Sequence, residues 1–302
     1  MRQFKYGSIL LILVISLFSC GMTVIQDKDI AGYRLSQPDQ TLILPEILHE
    51  VSGLTHIDAT TFACIQDEKG LIFIYDAEKN AIKRQINFYL DGDYEGITKV
   101  GDTMYVLQSN GTLFEIAPFN AENFQLHIFH TGIPANDNEG LCYDPDNNRL
   151  LIASKSKIGK GSEYKDKRAV YGFDLTTKQL SPNPVFDFDL QEIKTFASKN
   201  ANQIPSKTRK NNGQYIKDPF IKFRASAISI HPLTKQIFVL SATDYMLFVF
   251  DKQGKIQHIS TLNPLIFNKA EGITFLDNGD MLISNEGENK RPTVLRFNYL
   301  RK

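Results

Sequence analysis

The sequence predicts an all-β protein, a single five-bladed β-propeller whose last blade is closed by an N-terminal strand. The first observation is a short pattern of glutamate, glycine and isoleucine or leucine at residues 95–97, 139–141 and 271–273. Looser copies lie at residues 50–54 and 226–228, and the glycine or alanine of each copy follows the previous one after 43, 44, 87 and 45 residues. A period near 44 residues is typical of four-stranded propeller blades.

The second observation is the repeated order of strand-like runs after each copy, with turn residues such as those at 144–148 and 277–280 between them. Four units are predicted to contain four strands and the fifth only three. The predicted strands are 51–57, 61–66, 71–75 and 81–87; 96–100, 103–108, 112–116 and 125–130; 140–143, 149–153, 169–173 and 185–188; 227–231, 236–241, 245–250 and 256–261; and 272–276, 280–284 and 293–297.

The missing strand of the fifth unit is predicted to come from residues 32–44, which contain an unpaired apolar run before the first unit. Pairing it with residues 293–297 would cover two otherwise open sheet edges. The interval of 87 residues leaves room for a sixth blade as an alternative. Residues 189–222 show no strand alternation, however, so we interpret them as an insertion between the third and fourth blades.

The N-terminus has the pattern of a lipoprotein signal peptide. Arg2 and Lys5 precede an apolar run that is too short to span a bilayer comfortably, and Cys20 follows at a lipobox-like position. Phe18 departs from the small residue that is usual there, and an uncleaved anchor is the alternative. The predicted organisation is a signal peptide (1–19), a tether (20–31) beginning at the lipidated Cys20, and a propeller domain (32–302).

The charge and cysteine content restrict the class of protein. The chain has 34 Lys and Arg and 34 Asp and Glu, a balance that argues against a nucleic-acid-binding protein. We expect a monomer. Cys64 and Cys142 are predicted to be buried free thiols, although an envelope location would permit a disulfide.

The repeat predicts a site at the channel mouth, the end of the propeller where the innermost strands begin. Glu95, Glu139 and Glu271 would meet there as carboxylate ligands for a hard cation such as Ca²⁺. The second strand of each blade should end at the same face, and its polar end residues are candidate ligand-binding groups. These are Asp67, Glu68, Lys155, Asn285 and Glu286.

Two alternatives remain for this face. The glutamates could instead brace neighbouring blades through hydrogen bonds to the backbone. The basic residues of 155–168 and 189–222 could hold a phosphate-containing small molecule bridged to a cation, or they could form a solvated loop. The chain has no sequence motif of a serine hydrolase, a zinc protease or a phosphate loop, so whether it is an enzyme is left open.

The motifs of the repeat and the polar ends of the second strands resemble those of the YjiK/CarP family of bacterial envelope β-propellers, also called SdiA-regulated proteins. The matching motifs are EVSGL at 50–54, DEKG at 67–70, DYEGI at 93–97, NEGLCYDP at 138–145, SAI at 226–228, HPLT at 231–234, EGI at 271–273 and SNEG at 284–287. The resemblance implies a propeller related to phytase-like propellers and a link to calcium. It also implies a location in the bacterial cell envelope, facing the periplasm or exposed at the surface.

The sequence and this resemblance leave three hypotheses about function. The first is a membrane-tethered propeller that binds Ca²⁺ or a ligand at its mouth and serves in sensing or scaffolding, with an envelope protein as a possible partner. The second is a metal-dependent phosphoester hydrolase of phytase-like type, with Lys155 holding the anion. The third is a purely structural interaction module.

Overall fold

The computed structural model describes residues 30–200, 204–211 and 213–301, and these form a five-bladed β-propeller. The predicted signal peptide and Cys20 lie outside the described residues. The first strand is β1 (Gln40–Ile43), which belongs to the last blade. Blade 1 consists of β2 (Val51–His56), β3 (Thr61–Gln66), β4 (Leu71–Asp76) and β5 (Ala81–Asn87).

Blades 2 and 3 follow directly along the chain. Blade 2 consists of β6 (Tyr94–Val100), β7 (Thr103–Gln108), β8 (Thr112–Ala117) and β9 (Gln125–His130). Blade 3 consists of β10 (Asn138–Asp144), β11 (Arg149–Ser154), β12 (Lys167–Asp174), β13 (Gln179–Leu180) and β14 (Phe186–Asp189). Both β13 and β14 pair with β12, so two short strands share the place of the predicted single outer strand.

The insertion between blades 3 and 4 has structure that the sequence prediction missed. It contains α1 (Leu190–Asn200) and a hairpin of β15 (Ser206–Asn211) and β16 (Gln214–Pro219). Leu190, Ile193 and Ala197 are buried, and their spacing places them on one side of a helix. They pack in the core between blades 3 and 4. In the described part of the chain the hairpin pairs with no blade, which agrees with an insertion and rules out a sixth blade.

Blade 4 and blade 5 complete the ring. Blade 4 consists of β17 (Ala227–Ile230), β18 (Ile237–Ser241), β19 (Met246–Phe250) and β20 (Ile256–Thr261). Blade 5 consists of β21 (Ala270–Phe275), β22 (Met281–Asn285), β23 (Thr293–Phe297) and, on its outer edge, β1. Gln40 pairs with Arg296 and Ile43 with Thr293 in an antiparallel register. The predicted closure by an N-terminal strand is therefore confirmed.

Among the described residues the hydrophobic core is divided into five clusters, one at each junction between neighbouring blades. At the junction of blades 1 and 2, for example, Ile65 and Ile72 pack in one cluster with Val106 and Phe114. Cys64 and Cys142 are buried and unpaired, as predicted. No helix in the described part of the chain is long and apolar enough to cross a membrane.

The repeated glycine is explained by the close approach of innermost strands from neighbouring blades. A Cβ atom on Gly96 would lie 2.6 Å from Leu141 Cβ and 2.8 Å from the Glu139 carbonyl oxygen of the next blade. A Cβ on Gly272 would lie 2.6 Å from the Ser52 carbonyl oxygen. At these positions only glycine allows the backbones to meet this closely. The glycine of the repeated motif therefore serves the fold rather than a site.

Candidate functional site

The predicted glutamates lie at one end of the channel, where the innermost strands of the five blades begin. Glu95, Glu139 and Glu271 are each the second residue of an innermost strand, on β6, β10 and β21. The pairing of each strand with its neighbour shifts at that residue, as in a β-bulge. The same position precedes the repeated glycine or alanine in blades 1 and 4, where it is occupied by Ser52 and Ser226. We call these five residues the inner ring.

The two serines connect the inner ring from blade to blade. The Ser52 hydroxyl donates to the Glu95 carbonyl oxygen at 2.8 Å and lies 3.3 Å from Glu95 Oε2. The Ser226 hydroxyl donates to the Ala270 carbonyl oxygen at 2.9 Å and also hydrogen-bonds the Glu271 side chain. These contacts support part of the bracing alternative, since the ring residues of neighbouring blades do bond to one another.

A second set of charged residues lies at the same end of the channel and was missed by the sequence analysis. Each lies two residues before an inner-ring position, and its spacing in the sequence could have revealed it. In four blades its carbonyl oxygen accepts a hydrogen bond from the residue that follows the second strand, at 2.7 to 3.3 Å. The set, which we call the outer ring, consists of Glu50, Asp93, Asp137, Arg224 and Lys269.

Two lysines neutralise part of the acidic mouth. Lys155 forms an ion pair with Glu139, whose side chain is only 5 % exposed. Lys269 lies 3.2 Å from Glu271 Oε1 and 2.7 Å from Glu286 Oε2. Two of the three predicted metal ligands therefore already contact ammonium groups, whereas Glu95 has no lysine in direct contact in the described part of the chain.

Burial and mutual repulsion raise the pKa of each of these carboxyl groups. Burial, with the Asp93 and Glu271 charges, raises the pKa of Glu95 to about 8. Burial and the charges of Glu95 and Glu271 raise the pKa of Glu139 to about 9, against the opposing effect of Lys155. Burial also raises the pKa of Glu271. Because these carboxylates affect one another electrostatically, the structure brings the three predicted residues into one electrostatic unit.

The remaining predicted ligand-binding residues form a second group, near the junction of blades 5 and 1. Burial and the Glu50 and Glu286 charges raise the pKa of Asp67 to about 6. Asp67 Oδ1 is buried without a hydrogen-bond partner, and so is Oδ1 of the fully buried Asn285. The Asn285 amide group donates to Thr293 Oγ1 at 3.1 Å. Glu68, by contrast, has an exposed side chain.

The channel mouth is acidic on the side formed by blades 1 and 2. Blades 1 and 2 contribute Glu50, Asp67, Asp93 and Glu95, and no lysine or arginine of the described chain forms an ion pair with these four in the structure. We call these four residues the acidic sector. The side formed by blades 4 and 5 carries Arg224 and Lys269. Within the described residues, however, no group of three or more His, Cys, Asp and Glu side chains is arranged as a metal site.

The comparisons with known proteins bear on the fold. The chain matches no protein-family model and no curated protein sequence. It is similar to the crystal structure of the Myxococcus xanthus glutaminyl cyclase with a TM-score of 0.52 and 12 % identity, over 88 % of this chain and 97 % of that one. It is also similar to streptogramin B lyase with a TM-score of 0.46 and 12 % identity, over 86 % and 97 % of the two chains. At this identity, the first similarity shows the fold alone.

Proposed function

We propose that this protein is a membrane-tethered propeller that binds a cation in the acidic sector of its channel mouth. The observation that carries the proposal is the surplus of carboxylates there: Glu95 is partly buried, has a pKa raised to about 8 and has no lysine in direct contact among the described residues. Like charges that are packed together repel one another unless a proton or a cation compensates them. A cation that replaces the proton would relieve this repulsion.

Ca²⁺ is the first cation to test. The donors are hard carboxylate oxygens, which suit Ca²⁺ better than softer metals. The buried, unpartnered oxygen of Asp67 is a donor that a cation could satisfy. Of the predicted ligands, Glu95 and Asp67 fit this role better than Glu139 and Glu271, because those two are already paired with lysines. When bound, Ca²⁺ would supply positive charge to the sector.

Calorimetric titration of metal-stripped protein with Ca²⁺ tests this proposal. We expect binding that strengthens between pH 6 and pH 8.5, since the cation competes with a proton on Glu95. Glu95→Gln should abolish it, whereas Glu122→Gln, a change at an exposed position of blade 2, should leave it unchanged. A flat titration of the wild-type protein at millimolar Ca²⁺ would contradict the proposal and favour the structural role of the inner ring.

The phytase-like hydrolase is a second candidate, and Lys155 is the observation that favours it. Although burial opposes its charge, the Glu139 carboxylate raises the pKa of Lys155, and the charges of Glu95 and Glu271 add to this effect. A stable ammonium group at the mouth could hold a phosphate. Hydrolysis of p-nitrophenyl phosphate that requires Ca²⁺ and is lost in Lys155→Met would support this candidate, and absence of turnover would exclude it for that substrate.

The tether and the envelope location belong to the same proposal and rest on the lipobox-like sequence before Cys20. Cys20→Ser should prevent lipidation and move the protein from the membrane fraction to the soluble fraction of a bacterial host, because a covalent lipid supplies the membrane affinity. Cys64→Ser is the control, since that thiol is buried in blade 1. Unchanged processing and unchanged fractionation of Cys20→Ser would refute the tether.

A further inference from the structure

The hairpin of β15 and β16 belongs neither to a blade of the propeller nor to the candidate site at the channel mouth, so its role is still to be explained. Its two strands pair only with each other. Register divides its residues between two faces, because directly paired residues of an antiparallel ladder point to the same side. Lys210 pairs with Tyr215 and Thr208 with Lys217, whereas Arg209 pairs with Ile216 and Lys207 with Asp218. The first two pairs form what we call the outward face.

The other face of the hairpin is held against the propeller. Asp218 lies 3.2 Å from Lys194 of α1, and Ile216 is partly buried. The Ser198 hydroxyl of α1 donates to the Lys217 carbonyl oxygen at 3.3 Å. Beyond the hairpin, Asp244 accepts hydrogen bonds from the backbone of Lys222 and Phe223 at 2.8 to 3.2 Å. These contacts place one face of the hairpin against α1 and leave the outward face exposed to solvent.

The outward face combines positive charge with an exposed aromatic ring. Residues 199–224 contain seven lysines and arginines but one acid, Asp218, which Lys194 and Arg209 already contact. Tyr215 is 75 % exposed and Phe220, just after the hairpin, is 56 % exposed. The chain as a whole has no net charge, so the basic charge is concentrated at this place.

We infer that the outward face of the hairpin is a docking surface for an anionic phospholipid membrane. Charge complementarity selects an anionic partner, because each lysine or arginine near such a surface adds to the attraction. Tyrosine is enriched at the boundary between lipid and water, where its ring is buried and its hydroxyl stays hydrated. The long apolar stems of Lys210 and Lys217 can lie along the headgroups in the same way.

This docking surface is distinct from the proposed tether. Tyr33, near the start of the described chain, donates a hydrogen bond to the Gly279 carbonyl oxygen at 2.5 Å, in the turn between β21 and β22. That turn lies at the end of blade 5 opposite the mouth. The hairpin instead connects β14 and β17 on the mouth side. The two contacts are therefore independent, and the hairpin can be tested in protein without the lipid.

The test is sedimentation of a protein comprising residues 21–302 with vesicles of phosphatidylcholine alone or with 30 % phosphatidylglycerol. This protein contains every described strand, including β1. We expect binding only to the anionic vesicles and a steep loss of binding with salt. Lys210→Glu with Lys217→Glu should weaken binding by at least about tenfold, and Tyr215→Ser should weaken it at every salt concentration.

The matched control is Lys83→Glu with Lys252→Glu, which makes the same charge change at exposed positions of blades 1 and 4. Equal weakening by this pair would overturn the assignment to the hairpin. Equal binding to both vesicle types, or binding to soluble polyphosphate without binding to anionic vesicles, would overturn the assignment to a membrane. Glu95→Gln should leave vesicle binding intact, so failure here is distinguishable from failure of the proposed cation site.

Discussion

Glu95 contributes to the way in which the stability of the folded protein depends on pH. Its pKa is raised from 4.5 to about 8 in the folded state, so between these values the folded protein keeps a proton that the unfolded chain has released. The contribution is fully present below about pH 4.5 and is lost as the pH rises through about 8. The free energy of unfolding should therefore fall across this window.

We expect this fall to amount to about 1–2 kcal/mol for Glu95, after allowance for its partial exposure to solvent. Glu95→Gln keeps the hydrogen-bonding capacity but cannot ionise, so urea unfolding at pH 5, 7 and 8.5 should give a shallower pH dependence than in the wild type. Some pH dependence of the stability should remain in Glu95→Gln, because the pKa of Glu139 is also raised. An identical pH profile in wild type and variant would show that Glu95 ionises normally.

The Lys155–Glu139 ion pair supplies a second test at the scale of single residues. Glu139 is 5 % exposed and Lys155 30 % exposed, so Lys155→Met leaves a nearly buried carboxylate without its cation. We expect a loss of about 1–2 kcal/mol at pH 10, above the raised pKa of Glu139, less than for a fully buried pair. Adding Glu139→Gln should recover most of the loss. A double-mutant cycle with no coupling would mean that the pair contributes nothing to stability.

At the scale of the element, the innermost strands depend on the glycine of the repeat. Gly96→Ala would place a methyl group 2.8 Å from the Glu139 carbonyl oxygen, and the backbone of the next blade cannot move away cheaply. We expect a loss of about 1–3 kcal/mol. Ala227→Gly at the equivalent position of blade 4 is the comparison and should cost no more than about 1 kcal/mol. Thermal unfolding that is unchanged in Gly96→Ala would contradict this close packing.

The insertion shows where prediction from the sequence failed at this scale. The blades could be predicted because strand alternation and the interval near 44 residues repeat along the chain. Helix α1 occurs once, and its three buried residues pack on side chains of blades 3 and 4 that are distant in sequence. The hairpin carries mostly exposed polar residues, so its strands lack the apolar alternation that predicts a strand. Both elements depend on tertiary contacts.

The candidate site, like the fold, could be predicted from the sequence only in part. The repeat correctly indicated that Glu95, Glu139 and Glu271 lie at equivalent positions, because equivalent strands of a closed ring begin at one mouth. It did not indicate which of them would meet lysines, since Lys269 and Lys155 reach the glutamates through side-chain geometry. Ser52 was also missed as the equivalent residue of blade 1, because it is not acidic.

At the scale of the whole molecule, the ring is closed by β1 on the edge of β23. Leu42 and Leu44 are buried in the cluster between blades 5 and 1, and the Leu44 N–H donates to the Pro292 carbonyl oxygen at 2.9 Å. Without β1 the backbone of β23 would be an open sheet edge, and such edges pair with other chains. The N-terminal strand therefore completes the last blade and covers the edge of β23.

A pair of truncations tests this closure. A protein that starts at residue 30 keeps β1 and should remain monomeric and fold as the longer chain does. A protein that starts at residue 45 lacks β1, so we expect a large loss of stability and concentration-dependent oligomers in analytical ultracentrifugation. Restoring residues 30–44 as a separate peptide should return the monomer, because the peptide can occupy the free edge of β23. If the shorter protein were monomeric with an unchanged melting temperature, β1 would not hold the ring closed.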